Sequence, residues 1–367
     1  MAVPASAATS SALSPSGVTT AATSSASSAA FRIFNPPSPQ DGPAGSPEAL
    51  TGVYAASPTD VWAVGNPAGD QFEHWNGTSW TGQGLPAGLC TAAGNQCSVS
   101  FVTGTSARNI TAVGSGDIQT GTTVVAESVA FHFNGTSWSN MTIPAKVALG
   151  PVKAFSATNL WSVNGGDAEH FNGSTWTETK LPIVTTLTQL DLTSISGSSP
   201  SDIWAAGIAS NEGLHRDFSP ILEHFNGTSW SNVTVPVSSP GGLTDVLAVT
   251  PSDAYAVTTI GAILHWDGST WTALNATTQT GAAVTGSAVA ALSPTDVRVG
   301  SRTTLDHFNG TTWTSVPVPS TAGLTPAGQT LAGPDAAAAV GPGSVWFVGN
   351  TFTATGELPY AMGTSNG

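Results

Sequence analysis

The sequence is short of charge, and shortest of positive charge: eight Lys and Arg stand against 22 Asp and Glu in 367 residues, a formal net charge of -14. Eight basic side chains spread over the whole chain make no phosphate-neutralising stripe, which excludes nucleic acid as a partner. They also give an anionic membrane surface nothing to hold. No run approaches the roughly 20 apolar residues of a membrane-spanning helix, and apolar residues do not recur at helical spacing. Only two cysteines are present, Cys90 and Cys97. Their closeness inside a Gly-rich insertion suits a local disulfide in an oxidising compartment, with a reduced pair as the alternative. Catalytic signatures are missing as well: no Gly-x-Ser-x-Gly elbow, no His-Glu-x-x-His, no Gly-x-x-x-x-Gly-Lys phosphate cradle and no EF-hand loop. The sequence implies no cofactor and no metal.

Residues 1–30 are almost wholly Ala, Ser, Thr, Val and Pro, without charge or aromatic side chains, and are expected to form a disordered leader. They have neither a basic n-region nor a continuous apolar h-region, so an export signal would already have been removed.

What the chain does have is repetition, with 41 Gly and 25 Pro marking turns. His265-Trp266-Asp267-Gly268-Ser269-Thr270-Trp271 is one of six copies; the others run His74 to Trp80, His132 to Trp138, His170 to Trp176, His224 to Trp230 and His307 to Trp313. Asn-Gly or Asp-Gly between a β-rich run and an aromatic predicts a hairpin with a type I′ turn, whose two central residues both take positive φ. Upstream lies a second motif, Ser57-Pro58-Thr59-Asp60-Val61-Trp62-Ala63-Val64-Gly65, which returns near Ser199, Thr250 and Ser293. Pro and Asp there make a tight turn between an apolar run and an alternating one. Each repeat therefore has four strands, a to d, the blade of a β-propeller.

The six Asn/Asp-Gly turns are spaced 58, 38, 54, 41 and 42 residues apart. A seventh a and b pair reads at Ala336 to Gly349 and a strand c at Glu357 to Gly363, where the chain runs out. Phe31-Arg32-Ile33-Phe34 resembles the strand d endings, so the expected fold is all-β: a seven-bladed propeller over residues 31–367, its ring closed by an N-terminal strand that removes exposed sheet edges.

In such a ring the a-to-b and c-to-d turns share one end, and the b-to-c and d-to-a connections share the other. Every long insertion falls at the second end: the Cys90 to Cys97 segment, a loop from Ser115 to Ser128 and a loop from Ala209 to Pro220. Function usually sits on loops held by a rigid scaffold. The 211–218 segment stands out, with Glu212, His215, Arg216 and Asp217 offering donors and acceptors together; Asp117 and Asp70 complete the candidate ligand-binding set. The six repeat histidines are a blade apart, too far for one ion with ligand bonds near about 2 Å. Each is expected to be structural, hydrogen-bonding a turn.

Two resemblances follow from these motifs. Asp267-Gly268-Ser269-Thr270-Trp271 resembles the Asp-box of sialidases and related propellers, which implies a braced turn. Sialidase activity would need an arginine cluster, and Arg32, Arg108, Arg216, Arg298 and Arg302 sit in elements that do not converge. The whole repeat, Ser-Pro-x-Asp-Val-Trp-Ala-Val-Gly followed by Glu-His-Phe-Asn-Gly-Thr-Ser-Trp, resembles secreted bacterial seven-bladed propellers of actinobacterial type, lectin-like members among them, including the lectin subunits of umbrella-shaped toxin particles. Blade two departs from it, with Ser106-Ala107-Arg108-Asn109 in place of the usual turn. The resemblance implies a secreted, non-enzymatic protein that recognises a carbohydrate or cell-surface ligand through its loop-rich face and docks to another secreted subunit. Two alternatives stay open: a docking hub that receives a partner peptide, and a glycoside hydrolase or lyase using loop acids among Asp70, Asp117, Glu127, Glu212 and Asp217.

Overall fold

The computed structural model describes residues 31–34, 49–65, 71–144, 146–211, 218–236, 241–321, 330–341, 343–352 and 357–364; the leader 1–30 lies outside them. Seven antiparallel four-stranded sheets follow one another. Strand β1 (Phe31–Phe34) comes first in the chain. Blade one holds β2 (Leu50–Ser57), β3 (Asp60–Gly65), β4 (Phe72–Trp75) and β5 (Trp80–Gln83). Blade two holds β6 (Gln96–Ser106), β7 (Asn109–Thr120), β8 (Thr123–Phe133) and β9 (Trp138–Asn140). Blade three holds β10 (Val152–Ser156), β11 (Asn159–Asn164), β12 (Asp167–Phe171) and β13 (Trp176–Lys180). Blade four holds β14 (Gln189–Ser199), β15 (Asp202–Ser210), β16 (Phe218–Phe225) and β17 (Trp230–Asn232). Blade five holds β18 (Leu243–Thr250), β19 (Asp253–Thr258), β20 (Ile263–Trp266) and β21 (Trp271–Leu274). Blade six holds β22 (Ala288–Ser293), β23 (Asp296–Gly300), β24 (Thr304–Phe308) and β25 (Trp313–Pro317). Blade seven holds β26 (Thr330–Gly341), β27 (Ser344–Phe352) and β28 (Glu357–Thr364).

Strand β1 completes blade seven, pairing antiparallel with β28 from Phe31 opposite Thr364 to Phe34 opposite Ala361. The ring is closed as the strand d endings suggested. Phe34 also packs against Trp75 of blade one, 4.9 Å between ring centroids, so the closing strand bridges first and last blades.

Burial grades outward from the centre. In β3 Val61, Trp62, Ala63 and Val64 are all buried, because both faces of a second strand lie against neighbouring blades, whereas in β5 only Trp80 is fully covered. The two motifs meet across these interfaces. Trp62 packs on Phe133 and Trp138 of the next blade, with ring centroids 4.7 and 5.3 Å away. Trp161 does so on Phe225, Trp204 on Trp271 and Trp346 on Trp80. Blade two carries Thr111 where Trp is usual, and Trp176, the side chain that would receive it, is correspondingly only half-buried. Blade six carries Arg298 at that position, and the fourth strand of its neighbour is β1, which has no Trp to offer.

The c-to-d turn corrects one expectation. Among the six turns only the glycine has positive φ, from +88 to +94°, and no Asn or Asp does. The turn is therefore not type I′. Four residues, Asn76 to Ser79, link the paired Trp75 and Trp80, and Asn76 Oδ1 accepts the backbone N–H of Thr78 at 2.9 Å and of Ser79 at 3.0 Å. The carboxylate of Asp267 does the same work in blade five, and those N–H donors hold it down to about 2.

Candidate functional site

The two ends of the ring differ in kind. One end carries the short turns, each c-to-d glycine seated on the a-to-b turn beside it. At this end all six repeat histidines find a structural partner: His74 Nε2 lies 2.9 Å from Asp60, His132 3.0 Å from Asn109, His170 3.1 Å from Asn159, His224 2.7 Å from Asp202, His265 3.3 Å from Asp253 and His307 2.9 Å from Asp296. Each His is thus committed to its own blade's turn, and the described residues hold no cluster of metal-ligating side chains.

The other end carries the insertions. The segment from Ser115 to Ser128, expected as a loop, is instead a β-hairpin: β7 and β8 stay in register from Ile110 opposite Phe133 to Thr120 opposite Thr123. Exposed Ser115, Asp117 and Gln119 alternate with buried Gly116 and Ile118 along β7, and a tight Thr120–Thr123 turn returns the chain, so the two strands simply continue beyond the rest of the blade. A disulfide between Cys90 and Cys97 ties the preceding connection to β6, and Asn95 Oδ1 accepts the N–H of Gln119 at 2.7 Å, bracing the hairpin. Since β9 pairs only with Phe131 to Phe133, the outer edge of β8 from Thr123 to Glu127 has no strand beside it among the described residues.

Of the six expected ligand-binding residues, the structure places Asp117 alone: it is exposed on this hairpin, paired with Gln96 and Ala126. Glu127 sits opposite Gly116, so the two acids point to opposite faces of the hairpin and do not make a carboxylate pair. Asp70, Glu212, His215, Arg216 and Asp217 lie outside the described residues. The described arginines do not gather either: Arg298 Nε is bound to Asp296 at 3.0 Å and Arg302 Nε donates to Ala332 O at 3.1 Å.

Among the described residues, exposed large apolar side chains are confined to this insertion-bearing end. Leu89, Val124, Val125, Val184, Phe218, Ile260, Val316 and Phe352 are the large apolar residues exposed among those described, and each lies on a b-to-c or d-to-a connection or on the strand stretch leading to one. None lies at the turn end. All twelve tryptophans, by contrast, are buried or half-buried, which leaves none as an open stacking platform.

Two cavities are lined by the described residues. The first strands of all seven blades line a central channel of about 240 Å³. A second space of about 230 Å³ lies between blades two, three and four at the insertion end, lined by Ser115, Leu149, Asn164, Gly165, Leu190 and Asp191 among others. In the channel Asp245 bridges three blades, accepting from Ser194 Oγ at 2.8 Å and from the N–H of Val289 at 3.0 Å; burial still pushes its carboxyl up to about 6. Asp335, at a bulge in β26, is raised to about 6 by desolvation and then by Glu357. Burial lowers the Lys153 ammonium below its ordinary value.

No protein-family model matches the sequence, and no curated protein does. Solved structures match the fold. YCF48 bound to D1 peptide superposes with a TM-score of 0.58 at 13% identity, covering 92% of this chain and 97% of that one. The GH74 xyloglucanase from Xanthomonas campestris gives 0.54 at 15% identity over 90% of this chain and 55% of that one. The fucose-specific lectin from Aleuria aurantia gives 0.43 at 17% identity over 72% and 96%; that lectin is a six-bladed ring. Identities this low establish a shared propeller architecture and nothing finer. No helix of the described residues is long and apolar enough to cross a membrane.

Sequence reasoning singled out the insertion-bearing end of the ring and did not point to the channel. Its signal was faint: one lysine, Lys153, in a first strand whose counterparts are neutral at the same register. Tyr54, Thr103, Ser196, Leu247, Ala290 and Ala338 stand where it does, opposite the second-strand position of Trp62, Thr111, Trp204, Tyr255, Arg298 and Trp346.

Proposed function

We propose that this protein is a secreted, non-catalytic docking module whose insertion-bearing face receives a partner protein. The observation that carries this reading is the segregation of all eight exposed large apolar side chains to that face. Aliphatic groups such as Val124, Val184 and Ile260 leave water when a protein surface covers them, and such patches mark interaction sites. Sugars stack on open aromatic faces, and here the tryptophans are committed to blade interfaces, so that Phe218 and Phe352 are the exposed aromatic side chains among the described residues. The unpaired edge of β8 adds backbone donors and acceptors for an extended partner segment. The disulfide supports an oxidising compartment, in keeping with secretion. A face of this kind suits a subunit of a larger secreted assembly.

The test compares wild type with Val124→Glu/Val125→Glu and with Phe352→Glu as baits for proteins from the native secretome, alongside a glycan array and a polysaccharide turnover panel. A protein retained by wild type and lost from both variants at unchanged melting temperature supports the reading. Glycan binding without a protein partner replaces it with the carbohydrate reading, and turnover of a polysaccharide replaces it with the hydrolase.

A further inference from the structure

The free edge of β8 lacks the devices that keep strand edges apart. From Thr123 to Glu127 it has β7 on one side and no strand on the other among the described residues, and all five residues are exposed, Val124 at 58% and Val125 at 43%. Lysine, proline and bulges ordinarily stop an edge from pairing with another chain. Thr123 to Glu127 contains no Lys, Arg or Pro, and β8 pairs with β7 without a register shift. Most other outer strands are blunted: β1 carries Arg32, β13 carries Glu178 and Lys180, β25 ends at Pro317, and β9 and β17 are three residues long.

One bond tells which backbone groups of this edge are free. The carbonyl of Ala130, farther along β8, accepts the N–H of Met141 at 2.8 Å, and successive residues of a strand turn their N–H and C=O to opposite sides. Val124 and Ala126, an even number of places from Ala130, therefore turn theirs outward. The same bond limits the free edge, because at Ala130 the chain leaving β9 already occupies it.

A second copy of the stretch matches this edge in one antiparallel register. With Val125 opposite the second copy's Val125, Val124 lies opposite the second copy's Ala126, and these two exchange the N–H and C=O groups that both turn outward. Val125 then sits in a non-hydrogen-bonded pair, where side chains come closest, and Ile118 stands beside it on the same face in each copy. Thr123 meets Glu127, so a hydroxyl donor faces the carboxylate. The two Glu127 carboxylates stay four residues apart along the strands, about 13 Å. Centring the pair on Ala126 instead sets Glu127 against Val125, and centring it on Val124 sets Glu127 against the turn at Gly121; both lose the match.

We propose that the free edge of β8 joins two copies of this chain into a two-fold dimer, paired antiparallel about Val125. The proposal rests on the reading of the insertion-bearing face as a docking surface and names a second copy as the occupant of one edge of it. A contact of five residues from each copy belongs to the small, reversible class. The formal net charge of -14 on each copy opposes it at low salt, so the dimer strengthens as salt is added.

The experiment uses the purified full chain in about 0.5 M NaCl, which screens that charge. Sedimentation equilibrium over a concentration series reads self-association, and mild oxidation of Val124→Cys, Val125→Cys and Ala126→Cys reads the register. Wild type should approach twice the monomer mass as concentration rises. Val125→Lys sets like charges opposite each other across the two-fold axis and should weaken the dimer at least tenfold, with an unchanged melt because the side chain is exposed. Val125→Cys should cross-link at least fivefold faster than Val124→Cys or Ala126→Cys alone, and a mixture of those two should cross-link severalfold faster than either. Wild type that stays monomeric throughout overturns the proposal and leaves capture of a partner through Phe352 untouched, which separates its failure from that of the docking reading. A secretome protein lost from Val124→Glu/Val125→Glu while the chain remains monomeric assigns the edge to that protein and also overturns it. Dimers undiminished by Val125→Lys, or cross-linking fastest at position 124 or 126 alone, overturn the edge or its register.

Discussion

Asp202 accepts a hydrogen bond from His224 Nε2 at 2.7 Å and another from Ser198 Oγ at 2.5 Å, and so fastens the start of strand β15 to strand β16 and to the turn before it. The carboxylate is buried, and these bonds hold its pKa below the usual range against the opposing effect of burial. An acceptor at this place fixes the histidine as its Nε2–H tautomer.

Asp202→Ala should therefore cost about 1–3 kcal/mol, since it strands the imidazole and hydroxyl donors in a half-buried site. Asp202→Asn should be nearly neutral, because Asn109 and Asn159 hold His132 and His170 in blades two and three with the same geometry. Urea denaturation of the two variants checks this; equal losses would show that charge rather than the acceptor matters.

Ring closure makes a second prediction. Phe34 lies 4.9 Å from Trp75 and 5.6 Å from Trp346, centroid to centroid, so truncating it opens both the blade-seven sheet and its junction with blade one. Phe34→Ala should destabilise by about 2–4 kcal/mol, near the lower part of the range for a large-to-small change because the ring is only partly buried. Removal of residues 31–34 should lower the melting temperature much further, since β28 then becomes a bare edge. An unchanged melt after that deletion would show that blade seven stands on three strands.

Much of this fold was legible because its determinants are local and repeated. Pro-x-Asp and Asn-Gly punctuate the strands, and the spacing between them counts blades. What the punctuation could not give was the conformation of the turn itself: Asn76 keeps negative φ and works through its side-chain oxygen, which the dipeptide alone does not distinguish from a type I′ hairpin. The hairpin at Ser115 to Ser128 is hidden in the sequence because its polar, Gly-containing stretch lacks the motif, whereas pairing with β6 and the Asn95 brace extend the sheet there. For the candidate site the sequence singles out only an end of the ring. Lys153 and Asp335 are brought into one lumen by closure over seven blades, a relationship with no local trace in sequence.

Glu169 contributes to stability with an inverted pH response, opposite in sign to that of Asp202. Glu169 is 1% exposed, and desolvation, with repulsion from Glu178 and Asp167, pushes it up to about 7 despite the attraction of Lys180. Its ordinary value is 4.5, so the folded chain holds this proton longer than the unfolded chain does, and stability is lost as pH rises from about 4.5 through about 7. Glu169→Gln removes that loss. Relative to wild type the variant should gain stability between pH 5 and pH 8, measured as the difference in unfolding free energy at the two values; a difference independent of pH would show that the carboxyl ionises in the native state as freely as in the unfolded one.

The glycine of each c-to-d turn is held by two constraints, both present at Gly227, and comparison with Gly121 separates them. Its φ of +91° is a conformation that side-chain-bearing residues adopt at a cost, and a Cβ added there would lie 2.7 Å from the Cβ of Ser201 in the neighbouring a-to-b turn. Gly121 has a φ of +65° but open space around the added atom. Gly121→Ala should thus show the backbone penalty alone, about 1 kcal/mol, while Gly227→Ala should exceed it by pushing the two turns apart. Because Ser201 directly precedes Asp202, that displacement should also loosen the Asp202–His224 bond, so Gly227→Ala and Asp202→Ala should combine to less than the sum of their separate costs. Full additivity in the double variant would mean that the paired turns do not act as one unit.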